Sequence, residues 1–267
     1  YAYFVQVIEA QNAQHLQYGN SNAKTITVSF YVKSSITGTY AVGLYKPDST
    51  SRIFNKTYTI SSANTWEHKT ITFEGDTTGT LGNDNNTSLT ISWWLAAGSA
   101  MSSGTLQTSW GTRTDANRAV GNVNLADNTA NEWYITGVQF EVGETDTEFE
   151  HEPFERTLTK CHRYFYQLDN TAFSYVTMGH SRTNNAGLGF MIDFPVKMRA
   201  VPTLSLNAID TEPNPGTSYP VSLGSTYSST RQTGMYVTRD SGTWGTEYGL
   251  MMLLRDNTSY IRADSEL

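Results

Sequence analysis

Apolar and polar residues alternate over most of the chain, and the alternation predicts strands. Ile26, Val28, Phe30 and Val32 take every second position, with Thr27, Ser29 and Tyr31 between them, the period-two pattern of a strand with one buried face. Tyr40, Val42 and Leu44 repeat it against Ala41, Gly43 and Tyr45, and Leu89, Ile91, Trp93 and Leu95 repeat it against Thr90, Ser92 and Trp94. Further strands are expected at 1–9, at 53–60, at 66–74 with Ile71 and Phe73 inward, and at 133–142 with Tyr134, Val138, Phe140 and Val142 on one face. Lys46-Pro-Asp-Ser is a turn with Pro at its second position. Residues 75–87 form a polar loop, and 98–131 a Gly- and Asn-rich excursion whose length marks it as a candidate functional loop. Seven short strands with turns at this spacing predict a β-sandwich of jelly-roll type.

The period then changes once. Glu152-Pro153 opens a short helix, with Pro at a position the first turn tolerates and acids near its positive end. Phe154, Leu158 and Cys161 share one face at i, i+4 and i+7, an apolar stripe expected to dock the helix onto a sandwich. From 163 the β pattern returns, with strands expected at 163–168, 173–178, 187–194, 203–206, 218–223, 234–237, 248–254 and 260–262, and loops at Pro213 to Pro215 and at Asp240-Ser-Gly. The expected architecture is all-β: two β-sandwich, jelly-roll-like domains, 1–150 and 163–267, joined by a helical junction at 151–162.

Composition agrees. Only 16% of the 267 residues are charged and 38% are hydrophobic, with Tyr at 16 positions, and the balance is made up by Thr, Ser, Asn and Gly, which suit half-exposed strands and their turns. A net charge of −7 disfavours a nucleic-acid partner, which needs a basic face to displace phosphate counterions. No apolar run approaches the roughly 20 residues of a membrane span, so no membrane insertion is expected. The lone Cys161 cannot form an intrachain disulfide, and this favours assembly in a reducing cytoplasm. The chain opens on a strand-like run without an initiator Met, from which a truncated N-terminus is expected.

The run from Trp133 to Phe165 carries the most specific pattern: Trp-Tyr-Ile-Thr-Gly-Val-Gln-Phe-Glu-Val-Gly to Gly143, then Phe149-Glu150, then Leu158-Thr-Lys-Cys-His-Arg-Tyr-Phe. It resembles a signature of tail-fibre and other structural proteins of tailed bacteriophages, with Phe140 and Phe165 as aromatic departures from it. His15-Leu-Gln-Tyr-Gly and Ser29-Phe-Tyr-Val-Lys-Ser are similar to the same family's jelly roll, which is of carbohydrate-binding-module type. The resemblance extends from Tyr1 to about Gln167. A softer match covers Phe194-Pro-Val-Lys-Met-Arg-Ala-Val-Pro and the terminal Ala-Asp-Ser-Glu-Leu. It implies a non-enzymatic virion protein, assembled in the host cytoplasm and exposed on the particle. Its implied partners are other virion proteins, further copies of itself, most often as a homotrimer, and host-surface glycan. Alternatives are a purely structural decoration or connector and a polysaccharide depolymerase.

Candidate chemistry is sparse. The acids Glu144, Asp146, Glu148, Glu150, Glu152 and Glu155 crowd one stretch, repelling one another in solvent rather than facing each other across a groove as a glycosidase pair must. Five scattered histidines make no zinc pattern. Asp76 and Asp84, among Asn83, Asn85 and Asn86, offer hard oxygens for a structural calcium ion or plain turn formation; no other cofactor is expected. The outward phases place Tyr31, Tyr45 and Trp94 among Ser and Thr, and the long excursion adds Trp110. These four are the expected contact surface, either for glycan or for a neighbouring subunit.

Overall fold

The computed structural model describes residues 1–48, 50–169, 174–181, 188–214, 217–240 and 250–266. Phe173, Gly187, Pro215, Ser241, Gly242 and Tyr248, each part of an expected strand or loop, lie outside them. The chain is all-β with antiparallel sheets and divides into two compact units, Tyr1–His151 and Glu152–Leu267.

The first unit contains, in order, β1 (Ala2–Glu9), β2 (Ile26–Ser34), β3 (Gly38–Lys46), β4 (Arg52–Ile60), β5 (Glu67–Phe73), β6 (Thr87–Ala96), the single-turn helix α1 (Ser99–Ser102), β7 (Gly111–Thr112) and β8 (Trp133–Val142). Two sheets result, one ordered β1-β6-β3-β4-β7 and one ordered β5-β2-β8. Their facing sides share one core, in which Val28, Phe30 and Val32 of β2 and Ile71 and Phe73 of β5 meet Tyr40, Val42, Phe54, Tyr58, Ile91 and Trp93. Phe30 packs edge-on against both Tyr58 and Trp93, a favoured arrangement of ring quadrupoles.

Part of the excursion from 98 to 131 covers the outer side of the larger sheet, while Gly111–Thr112 joins that sheet as β7 and Trp110 and Val123 pack against the shared core. Asn55, buried on that side, receives its backbone hydrogen bond partner from the excursion, its N–H donating to the Gln107 carbonyl at 2.7 Å. Gly43 stands beside it in register, and a Cβ there would sit 2.1 Å from the Asn55 side-chain oxygen; the missing side chain is what lets Asn55 lie flat. Asn122 accepts from the Ala41 N–H at 2.7 Å. Met101 and Ala119, joined by a backbone hydrogen bond, pack with Ala41 and Trp94 in a second small cluster.

Strand β8 departs from its expected phase. Tyr31 pairs with Thr136 but Ser29 pairs with Gln139, so β8 carries one extra residue there. Such a bulge re-aims the side chains on either side of it. Gly137 supplies the backbone, with φ of 56°, a left-handed value costly for residues with a Cβ. Before the bulge Trp133 and Ile135 pack on the core; after it Phe140 does. Tyr134, expected inward with Val138, Phe140 and Val142, therefore points outward.

The second unit begins with α2 (Phe154–His162) and continues through β9 (Phe165–Leu168), β10 (Tyr175–Ser181), β11 (Leu188–Asp193), β12 (Thr203–Asn207), β13 (Ile209–Asn214), β14 (Thr217–Ser228), β15 (Gln232–Arg239), β16 (Leu250–Leu254) and β17 (Tyr260–Asp264). Six of these strands close a barrel in the order β10-β11-β15-β14-β13-β16, and β12-β17-β9 form a separate sheet. The expectation of a second sandwich gives way to this barrel. Short alternating strands are common to both architectures; what separates them is the pairing of β10 with β16, which removes the sheet edges and leaves no trace in local periodicity. Phe190, Met235, Val237, Met252 and Leu254 fill its core together with Leu204 and Ile261 from the three-stranded sheet. Strand β13 includes Pro213 and pairs Asn214 with Thr217 of β14, where a wider loop was expected.

Helix α2 forms where expected, with Pro153 as its N-cap, but it buries no residue. Phe154, Leu158 and Cys161 are exposed, so the described residues of the second unit do not bury the apolar stripe. Periodicity reveals a stripe; it does not reveal a surface to cover it.

Candidate functional site

The expected contact residues separate. Trp94 is fully buried, a correction to its expected outward exposure. It does lie on the outer phase of β6, but the excursion covers it, with the Arg118 guanidinium 4.9 Å from its ring centre and Tyr3 tilted against it at 5.1 Å. Tyr45 on β3 is half-buried beneath Arg113, 4.9 Å from its ring, and Arg118, at 5.7 Å. Trp110 packs edge-on against Tyr18 and Phe54 at the rim of the core, and its indole N–H donates to the Glu74 carbonyl at 2.7 Å. Tyr31 alone stands on the other sheet, exposed.

Around Tyr31 the register of the three-stranded sheet assembles a different group. On the outer side, Tyr31 pairs with His68 of β5 and Thr136 of β8, its ring centre 4.8 Å from that of His68. One step along, Lys33 pairs with Tyr134, and Trp66, just ahead of β5, lies on the far side of Lys33. The Lys33 ammonium lies 4.6 Å from the Tyr134 ring centre and 5.3 Å from that of Trp66, and the two rings are 6.5 Å apart. Tyr31, Trp66 and Tyr134 each keep between 42 and 45% of their surface in contact with solvent. A hydrogen bond to Glu132 raises the Tyr134 phenol above its usual pKa. Three rings and a cation thus line one half of the outer face.

The acidic loop occupies the other half. Thr27 donates to the Gly143 carbonyl at 2.9 Å and Thr72 to that of Glu144 at 3.3 Å. Glu141 accepts from Thr147 N–H at 3.1 Å, and the Gln139 side chain accepts from Glu150 N–H at 2.7 Å. Asp146 lies 3.6 Å from His68. Glu144, Asp146, Glu148 and Glu150 are thus spread along a strap over the sheet, in which Asp146 borders the open aromatic half.

Asp76 and Asp84 do not share a site. Asp76 is buried with Lys46 at 2.6 Å, Arg52 at 2.7 Å and the Thr78 N–H at 3.1 Å. Burial alone would raise its pKa, but the hydrogen bonds from Lys46 and Arg52 outweigh it and hold the carboxyl below its usual range. With two cations on one carboxylate, Asp76 has no charge left for calcium. The Lys46 ammonium, also buried, donates to the Gly79 carbonyl and lies 5.9 Å from the rings of Tyr18 and Trp110. Asp84 instead accepts from the Asn86 backbone and side chain at 2.9 and 2.6 Å, the local turn that Asx residues form. Among the described residues no cluster of three or more His, Cys, Asp or Glu is placed to hold a metal ion.

Sequence reasoning missed Trp66 and Tyr134. Trp66 was within reach, since it shares the outward phase of His68, Thr70 and Thr72 opposite Ile71 and Phe73. Tyr134 was hidden by the bulge, although Gly137 within a strand pattern is a signal for one. Set against protein-family models, curated proteins and solved structures, the chain matches none of them.

Proposed function

We propose that this chain is a virion structural protein of a tailed bacteriophage, an adhesion module of tail-fibre type that holds host-surface glycan on the open aromatic half of the β5-β2-β8 sheet. The observation that carries the reading is the row Trp66–Lys33–Tyr134 beside Tyr31 and His68 on the outer face of the sheet, with all three aromatic rings partly open to solvent. Pyranose rings present apolar C–H faces to aromatic side chains, while Thr136, His68 and Glu132 can exchange hydrogen bonds with sugar hydroxyls. The two-sheet unit reads as a jelly-roll sandwich, in keeping with the signature from Trp133 to Phe165. Contacts of this kind are weak singly and are multiplied by the number of copies on a particle. No step of catalysis is needed.

Electrophoresis of the protein through gels containing host surface polysaccharide tests the proposal. Retardation that the double variant Trp66→Ala, Tyr134→Ala abolishes is the expected result, and equal retardation of both proteins would overturn the site. Release of reducing ends from the same polysaccharide would instead establish the depolymerase reading.

A connector that binds only other virion proteins is the second reading, favoured by the barrel's surface. Met178 of β10, Met191 of β11 and Tyr227 of β14 are exposed there, with Met191 and Tyr227 both in register with Gly234 of β15. Exposed apolar rows of this kind mark contact surfaces, and methionine adapts to irregular partners.

A further inference from the structure

Four strand edges border the two sheets of the first unit, and three of them are protected. Strand β5 carries Glu67, His68 and Lys69, β7 is two residues long, and β8 is broken by its bulge. These are the devices by which exposed edges avoid pairing with other chains. Strand β1 has none of them from Tyr3 to Ile8, where its register with β6 is unbroken; shifts occur only at its ends, at Ala2/Tyr3 and Ile8/Glu9. It ends the larger sheet with only β6 beside it, and from Ala2 to Ile8 it contains no charged residue and no proline.

Its side chains are apolar on both faces. Tyr3 and Val5 lie on the outer side, Phe4 and Ile8 on the inner, and Tyr3, Phe4 and Val5 are 38, 48 and 39% exposed. On the inner side the two sheets part to leave a cleft of about 390 Å³, lined by Phe4, Ile8 and Trp93 from one sheet and Ile135, Val138 and Phe140 from the other, with Gln6 as its one polar lining residue.

We propose that the β1 edge is an interface between two copies of this chain, which pair antiparallel through β1 about a two-fold axis perpendicular to the sheet. That axis keeps equivalent faces on the same side. Each copy's Phe4 then lies on the cleft side of the joined sheet, near the other's open seam, while Tyr3 and Val5 join a common outer surface. A self-complementary patch is what an isologous contact requires, and from Ala2 to Ile8 there is no charge on either strand to be opposed or stripped of water. Taking about 200 Å² for a whole aromatic side chain, the exposed parts of Tyr3, Phe4, Val5 and Val138 amount to roughly 300 Å² per copy. Doubled, and with the backbone edge and Val7 added, the contact reaches about 1,000 Å², near the lower bound for a specific interface. The pairing is therefore reversible.

Sedimentation velocity of the full chain, from low- to high-micromolar concentration, tests this. The expected result is a monomer–dimer equilibrium that Val5→Lys weakens at least tenfold, because it brings two ammonium groups close to the two-fold axis, whereas Val5→Thr retains it. A monomer throughout the range, a trimer, or association unchanged by Val5→Lys would overturn the proposal. Should Val5→Lys fail to fold, amide exchange of the unaltered protein decides: protection of Tyr3 to Val7 that rises with concentration supports the pairing, and protection independent of concentration refutes it.

Discussion

Lys33 and Tyr134 are direct partners across β2 and β8, and the Lys33 ammonium lies 4.6 Å from the centre of the Tyr134 ring. Trp66 flanks the same ammonium on the other side. Because all three side chains are solvent-facing, replacing Trp66 or Tyr134 with Ala is expected to change stability by no more than about 0.5 kcal/mol. Loss of one aromatic contact worth about 1.4 kcal/mol would weaken glycan binding about tenfold. Calorimetric titration with a retained polysaccharide, beside a thermal melt of each variant, separates the two effects; a variant that unfolds early says nothing of the face, and one that melts normally yet binds normally removes that residue from it.

The bulge that turns Tyr134 outward depends on Gly137. At φ of 56° a side chain is strained, and a Cβ would approach the Tyr31 ring to 3.2 Å. Gly137→Val is expected to cost about 1–2 kcal/mol from the backbone conformation and to shift Tyr31. Denaturant unfolding measures the first effect, and a changed Tyr31 environment in NMR the second.

The strands of the first unit were legible because β2, β3 and β6 each turn alternate apolar residues toward the core, although β3 and β6 are buried on their other faces as well. Exposure was less legible. Trp94 has the outward phase that its sequence neighbours Ser92 and Thr90 imply, but Gly43 and Asn55 admit a long excursion over that side, and no local pattern announces a cover contributed by residues 98 to 119. Tyr134 fails for another reason: one inserted residue inverts the phase of everything before it, so a face inferred from Phe140 and Val142 is wrong at Tyr134. The barrel of the second unit was out of reach because closure depends on one pairing between β10 and β16, more than sixty positions apart in sequence.

The cover over Trp94 rests on Arg118, which is buried and also approaches Asp115 at 3.7 Å. A desolvated cation over an indole face contributes about 2 kcal/mol. Arg118→Ala is expected to lower stability by about that amount and to open the segment from 98 to 119 to limited proteolysis. Resistance to protease equal to that of the unaltered protein would show that Asn55 and Asn122 hold the cover unaided.

Asp76 makes the stability of the first unit pH-dependent. Its carboxyl is held below the usual range in the folded state, so its contribution is fully present above the unfolded carboxylate value of about 3.9 and is lost as pH falls through the lower folded value. Asp76→Asn leaves Lys46 buried without an anion, a defect of about 3–5 kcal/mol, and at about 2–4 °C per kcal/mol the melting temperature should fall by roughly 10 °C at neutral pH. Melts of the two proteins from pH 7 to pH 2 should converge at the acid end. A constant difference across that range would mean that Asp76 does not titrate with folding.

Helix α2 offers the last comparison, because its sequence and its burial disagree. Phe154, Leu158 and Cys161 form one apolar face, the arrangement that ordinarily anchors a helix, yet Phe154 is 73% exposed and no residue of the helix is buried. If that face supported the fold, Leu158→Asp would place a carboxylate in an apolar contact and cost several kcal/mol. With the face exposed, the change stays within about 0.5 kcal/mol, and the melting temperature should move by no more than about 2 °C. Cys161 supplies an independent reading, since an exposed thiol reacts with a thiol reagent in the native protein as fast as in the unfolded chain. A slow native reaction together with a large loss of stability in Leu158→Asp would establish that the stripe is covered in solution.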